Sequence, residues 1–414
     1  MKWWYRLKIL HKDNVSNLRK TMMRLHKLMM WWKMISRYEC PKWGQTFYVH
    51  KASGITYSAC SALLVLAVFT SGCAVADGNI NSLLQKRAVT KSLFDVTIPR
   101  SDSPEAIDKE LDARYERIKK ETDALFKEEQ GRLVLKHKYG TTILPENPQR
   151  VVVIRLEDPM IALGAPMVGA YNTESFYLHE ELISQGVQTI SINEATKAIN
   201  LEQVQALKPD LILLRDSFDR NTFNALSKIA PVGALNLQKS EVTLLALGRI
   251  LHREEQAEAR LKTYYEHVKD SRIAIKAVIG DAPVAFLRIL KKEVRIYPYD
   301  SNDINRFMYE LLNIKPDPLA ITQNGADSTA ISLEMLPELQ ADYLIVSSGY
   351  GPSSAGNTEA AEKRYEELRT DPLWQVIPAV REQHILNVNP LVWNAHGIIA
   401  KERAMDDLVK YFSK

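Results

Sequence analysis

The residues best suited to grip an anion are arginines placed at the ends of predicted strands. Arg288 and Arg295 flank a hairpin that runs from Phe286 to Tyr297. A guanidinium is planar, stays charged at any relevant pH and offers paired donors to carboxylate or catecholate oxygens. Arg215 and Arg220 bracket a loop directly after a leucine-rich strand, and Tyr350 lies in the Ser347–Ser354 loop after another. The stretch from Tyr171 to Tyr177 follows a third. Each is equally readable as an ordinary solvated group. Trp393, in Asn389-Pro-Leu-Val-Trp-Asn-Ala-His396, offers a flat apolar face to a ligand or fills a core. His396 is expected to be structural.

Other chemistries lack their parts. The sequence contains no P-loop, no Gly-x-Gly-x-x-Gly, no His-Glu-x-x-His and no Gly-x-Ser-x-Gly. A nucleophile–histidine–acid set cannot be assembled from spacing alone. His137, His179, His252, His267, His384 and His396 show no paired ligand spacing, so no directly chelated metal and no intrinsic cofactor are expected.

The elements that must position these groups are legible from periodicity. Val151-Val-Val-Ile154 and Leu211-Ile-Leu-Leu214 are bare apolar runs followed by helical spacing, the pattern of parallel strands buried on both faces. Strands are predicted at 133–137, 150–155, 167–170 and 210–214 in a first lobe, residues 131–252. A second lobe, 280–414, has predicted strands at 283–290, 293–298, 342–347 and 384–388. Between them, 253–279 contains no proline and no glycine, and Ala257, Leu261, Tyr264, Val268 and Ile275 keep one stripe. As a helix this segment spans roughly 35 Å, enough to join two domains with only a small hinge motion. In open parallel α/β sheets the ligand lies beyond the carboxyl ends of the strands. Two facing lobes would therefore enclose one cleft.

At 414 residues the chain has ample core for two domains. Its net charge of +4 averages unlike parts: residues 1–54 carry +10 and the remainder −6, which argues against a nucleic-acid protein. Cys40, Cys60 and Cys73 all precede the globular part, so it can hold neither a disulfide framework nor a cysteine metal site. Ala59–Phe69 suits a signal-peptide core and is too short to span a bilayer. Thr70-Ser-Gly-Cys73 follows it. Residues 1–73 are thus a leader and signal peptide, with cleavage near Ala76 the plainer alternative to processing at Cys73. An upstream mis-assigned start accounts for residues 1–54 more simply than a function does. Residues 74–130 comprise a polar tether and an amphipathic helix, Pro104 to Gln130, whose apolar stripe is expected to mark a solvated spacer.

The order of these phrases, with Leu201-Glu-Gln-Val-Gln-Ala-Leu-Lys-Pro-Asp210 and Leu226-Ser-Lys-Ile-Ala-Pro231 between the strands, resembles the substrate-binding lipoproteins of iron–siderophore ABC importers over residues 131–414. The resemblance implies an α/β fold of two Rossmann-like lobes with parallel-rich sheets, joined by a single long α-helix, with the ligand cleft between them. It also implies that the small residues before Cys73 form a lipobox. Capture of a ferric siderophore outside the cytoplasmic membrane would follow, with delivery by a lipid-anchored monomer to ABC permease subunits and their cytoplasmic ATPase. Arg288, Arg295, Tyr297, Trp393, Arg215 and Tyr350 become candidate ligand contacts. Asp158 (or its neighbour Glu157) and Glu334 become candidate docking carboxylates for the permease, each also readable as helix-start charge favoured by the macrodipole. Haem or cobalamin on the same fold, and a cell-surface hydrolase or adhesion module, stand as alternatives.

Overall fold

The computed structural model describes residues 102–413, apart from 194, 300–301, 324–327 and 350–354. The leader, the candidate lipidation site Cys73, the chain up to residue 101 and Tyr350 lie outside the described residues. A leading helix, Pro104–Asp123, comes first, capped by the Ser103 side chain and started by proline. The antiparallel sheet of β1 (Phe126–Glu129), β2 (Arg132–His137) and β3 (Gly140–Ile143) follows.

The first lobe continues with β4 (Val151–Ile154), β5 (Gly169–Tyr171) and β6 (Gln188–Ile190). A two-stranded pair, β7 (Ile192–Asn193) and β8 (Ala198–Ile199), precedes β9 (Leu211–Arg215) and β10 (Val232–Leu235). The main sheet has the order β10-β9-β4-β5-β6 and is parallel throughout. Successive side chains of a strand leave on opposite faces. Val151 and Val153 accordingly enter one apolar cluster, while Val152 and Ile154 enter another. Both faces are covered, which is why the run carries no polar residue.

The second lobe holds β11 (Val284–Ile289), β12 (Val294–Ile296), β13 (Thr329–Ile331), β14 (Tyr343–Ser348) and β15 (Ile385–Val388). Its order is β13-β12-β11-β14-β15, with β11, β14 and β15 parallel and the hairpin partners β12 and β13 antiparallel. Every strand expected from the sequence is present, with its ends within two residues of the expected bounds.

The connecting helix is Glu254–Ile279, 26 residues long, or about 39 Å at 1.5 Å per residue. Ala257, Leu261, Tyr264, Val268 and Ile275 form its buried stripe, as the sequence pattern requires. It stops at Gly280, whose φ of +53° suits glycine. One apolar cluster runs from Val153 through this helix to Phe286, so the lobes share a core.

Two expectations need correction. The leading helix is no solvated spacer: Ile107, Leu111 and Ile118 are buried in the shared core, against helix Ser240–Ile250 and the connecting helix. β1 pairs with β2, so ordered pairing also begins five residues ahead of the expected boundary at 131. The single connecting helix is supported from the side: the final helix, Ile398–Phe412, packs on both it and the first-lobe helix Glu157–Ala162. Among the described residues no helix is long and apolar enough to cross a membrane.

The crossing of Ser240–Ile250 on the connecting helix depends on Gly248, where an added Cβ would fall 2.5 Å from the Ala257 Cβ. Gly248→Ala should therefore lower unfolding stability by about 1–3 kcal/mol, read from the urea midpoint, despite alanine's better helix propensity.

Candidate functional site

β4 and β9 lie side by side, and each delivers an arginine at its carboxyl end. Arg155 follows β4 with φ of +62°, a conformation that non-glycine residues seldom adopt. Its guanidinium lies 3.6 Å from the centroid of the Tyr171 ring, a cation–π contact from the end of β5. Arg215 closes β9 and is half-buried. Both line a pocket with Phe176 and Tyr177 on the first-lobe side and Pro390, Asn394 and His396 on the second-lobe side. This is the interlobe cleft.

Two carboxylates at its floor are turned inward. Glu157 Oε1 accepts the backbone N–H of Arg155 at 2.9 Å and of Tyr171 at 3.1 Å. Burial pushes its carboxyl up to about 7, against the opposing pull of Arg155 and these amides. Asp158 reaches across to the final helix, accepting the N–H of Ile399 at 3.1 Å and of Ala400 at 3.0 Å, and the Tyr177 hydroxyl at 2.8 Å. A carboxylate at a helix N-terminus meets both unpaired amides and the positive end of the dipole. The close approach requires Gly397, where a Cβ would sit 1.8 Å from the Asp158 carboxyl carbon. Asp158 is therefore buried, and the free surface carboxylate expected for docking is absent at this position. Glu334 differs: it is exposed in the first turn of Leu333–Glu338. Hydrogen bonds from its own backbone N–H and from Ser332 hold its carboxyl below the usual range.

His396 projects into the pocket from a mostly buried position, its side chain 12% exposed. Burial first, then the charges of Arg215 and Lys401, push its imidazole down to about 3. It is thus neutral near pH 7. Behind it, Asp303 pairs with Lys401 at 2.6 Å, and Lys401 donates to Ser240 Oγ of the first lobe at 2.7 Å.

Of the expected contacts, Arg215 lines this pocket, and the expected Tyr171–Tyr177 stretch supplies Phe176 and Tyr177. Trp393 is 2% exposed, packs edge-on against Phe286 and donates its indole N–H to Asp407, so it is a core residue without a face to the cleft. Tyr297 is likewise buried, stacked on Phe286, with its hydroxyl donating to Asn394 Oδ1; it supports a pocket residue rather than lining the pocket. Arg288 and Arg295 pair across the β11–β12 hairpin. Arg288 donates to the Gly349 carbonyl at 3.2 Å, while Arg295 is engaged by Glu293 and Ser328. Arg220 is turned to the Tyr139 carbonyl, away from the pocket. Arg155 and the pocket-facing side of His396 were missed. The signal for Arg155 was available: it directly follows the buried run Val151–Ile154, as Arg215 follows Leu211–Leu214.

The cleft holds about 130 Å³ in this arrangement, below the roughly 300–1,000 Å³ of typical small-molecule pockets. A bulky ligand needs the lobes further apart.

Two α/β lobes, a helical link and an arginine-lined gap define a bilobal solute-binding protein. The chain belongs to the periplasmic binding protein family, whose model matches residues 161–390. It is 28% identical over 299 residues to the probable siderophore-binding lipoprotein YfiY of Bacillus subtilis, covering 68% of this chain and 87% of that one. It is 27% identical over 287 residues to the Fe(3+) dicitrate-binding periplasmic protein FecB of Escherichia coli, covering 66% and 88%. Among solved structures, Staphylococcus aureus SirA complexed with staphyloferrin B superposes with a TM-score of 0.58 at 26% identity, over 68% of this chain and 98% of that one.

Because the folded His396 takes up its proton near pH 3 and the unfolded one near 6.5, the unfolded state binds the extra proton between those values. The associated stability is present above about pH 6.5 and is lost as pH falls toward 3. Wild type should thus lose more stability than His396→Asn between pH 7 and pH 4, by up to about 3 kcal/mol, in parallel urea titrations. Equal losses would contradict the burial of a neutral ring.

Proposed function

We propose that this chain captures a ferric siderophore outside the cytoplasmic membrane and delivers it to an ABC permease for iron uptake. The observation that carries the reading is the convergence of Arg155 and Arg215 on one pocket whose carboxylates already accept protein N–H and O–H groups. Their guanidinium groups offer directed, paired donors to a ligand with anionic oxygens. The neutral His396 adds a hydrogen-bonding group beside them. Relatives named for siderophore and ferric-citrate binding support the same cargo class. Attachment by a lipid at Cys73 agrees with the relative named as a lipoprotein, and iron enters as cargo inside its chelator. The pocket lining offers arginines, tyrosine and histidine rather than a nucleophile beside a base, which favours holding over bond-breaking.

Titration of tryptophan fluorescence with ferric citrate, a ferric catecholate, a ferric hydroxamate, haem and cobalamin tests the cargo. A ferric chelate should bind at micromolar levels or better, and Arg155→Ala and Arg215→Ala should each weaken it about tenfold or more. Silence toward every ferric chelate would defeat the proposal, and a response to haem or cobalamin alone would redirect it.

Glu334, exposed on the second lobe, is proposed as a permease-docking carboxylate. Such rim charges govern encounter more than affinity. Glu334→Lys should slow iron uptake by cells several-fold while leaving the fluorescence titration unchanged. Unchanged uptake would remove Glu334 from the docking surface.

A further inference from the structure

The leading helix Pro104–Asp123 lies along the connecting helix with reversed polarity. Lys119 meets Glu258 at 3.2 Å, Asp108 meets Lys269 at 2.6 Å, and Asp102 meets Arg272 at 2.8 Å. Partner numbers rise on one helix as they fall on the other, the signature of an antiparallel pair. The contacts reach beyond the connecting helix at both ends. Near its start, Asp102 accepts from Asn313 of the second lobe at 2.9 Å. Toward its end, Glu121 pairs with Lys239 of the first lobe at 3.1 Å. One charged helix is thus fastened to the first lobe, the link and the second lobe.

Its middle is anchored more deeply. Arg114 makes a two-point pair with Glu241, both bonds 2.7 Å, and Tyr265 of the connecting helix donates to the same carboxylate at 2.8 Å. Burial alone would raise the Glu241 carboxyl, but Arg114 holds it below its ordinary value. Glu241 follows Ser240, which takes the Lys401 ammonium that also pairs with Asp303 behind His396. Polar contacts and one chain step therefore run from the leading helix to Asp303, which lies 3.9 Å behind the His396 imidazole.

We propose that the leading helix is an intramolecular brace that limits separation of the two lobes and so sets how fast the cleft exchanges its cargo. The closed pocket is too small for a bulky chelate, so any capture or release requires the motion that this helix opposes. A hinge built on the connecting helix can bend only if a helix pinned to both lobes slides or detaches. The lobe-limiting action stands on contacts in this structure alone, while its consequence for cargo rests on the binding role proposed above.

The lobes carry their own reporter. The amides of Ile399 and Ala400 donate to Asp158 across the interlobe contact, so their hydrogen exchange reads separation without any ligand. The test is a rim variant of the full chain, Asp108→Lys with Lys119→Glu and Glu121→Lys, which sets like charges against Lys269, Glu258 and Lys239. The compensated form adds Lys269→Glu, Glu258→Lys and Lys239→Glu. All these positions are surface pairs, which leaves the core intact.

In the unliganded rim variant, exchange in 104–123 and at Ile399 and Ala400 should quicken about tenfold, while β4 and β11 keep wild-type protection. The compensated form should restore both regions. Raising ionic strength on the wild type should reproduce the effect in part, because exposed pairs are screened. A loosened helix with unchanged exchange at Ile399 and Ala400 would overturn the brace. So would unchanged exchange in 104–123. If β4 and β11 also lose protection in the variant, the salt series on the wild type decides by the same two criteria. Release of a bound ferric chelate, chased with excess unlabelled chelate, should quicken in the rim variant in step with the amides. Failure of every ferric chelate to bind wild type would remove the cargo reading and leave the amide result standing.

Discussion

A 26-residue helix without internal glycine or proline fixes the distance between two sheets, and the remaining packing follows from how it is covered. Its buried stripe joins the inner faces of β4 and β11 into one shared apolar cluster, while the outer face of each sheet keeps a cluster of its own. Burial of that stripe would leave the opposite side of the helix in water. The leading and final helices occupy part of that side, with ion pairs such as Lys269–Asp108 and Arg260–Glu402. Isolated surface pairs contribute about 0–1 kcal/mol each. Their weight here comes from number and shared geometry around buried anchors such as Arg114–Glu241.

The cleft shows how charge is handled at the join. Glu157 and Asp158 are buried, and each is answered by backbone amides, with the Tyr177 hydroxyl added at Asp158. Amide donors satisfy a carboxylate's lone pairs without occupying a guanidinium, so the donors of Arg155 and Arg215 stay beside the pocket. Lys401 is handled separately: Asp303 and Ser240 draw it behind the wall. The cost of burying these groups is met locally, group by group.

Much of the fold was legible because parallel strands buried on both faces must be purely apolar, as Val151–Ile154 and Leu211–Leu214 are. The stripe of the connecting helix was equally plain. The site was less so. Arg215 was found from its place after a strand, and the same rule applied to Arg155 would have found the second arginine. Trp393 and Tyr297 carry aromatic rings that serve a ligand or a core equally well; only their packing on Phe286 decides. Asp158 reads as an exposed helix-start charge because its partner amides lie some 240 residues away in the chain. The leading helix was misjudged for a related reason: its stripe is sparse, and its charges look solvated until their partners on the connecting helix are known.

The reversed polarity of the leading helix also fixes how the molecule bears a mechanical load. Asp102 stands just ahead of the helix, and its carboxylate holds the fully buried Arg272 guanidinium as well as Asn313. A pull along the helix axis loads the successive ionic contacts in shear, all at once. A pull at right angles peels them one by one from that end. Contacts set along one axis resist sliding together and part in turn when peeled, and Arg272, fully buried, keeps Glu110 as a second carboxylate once the Asp102 contact gives.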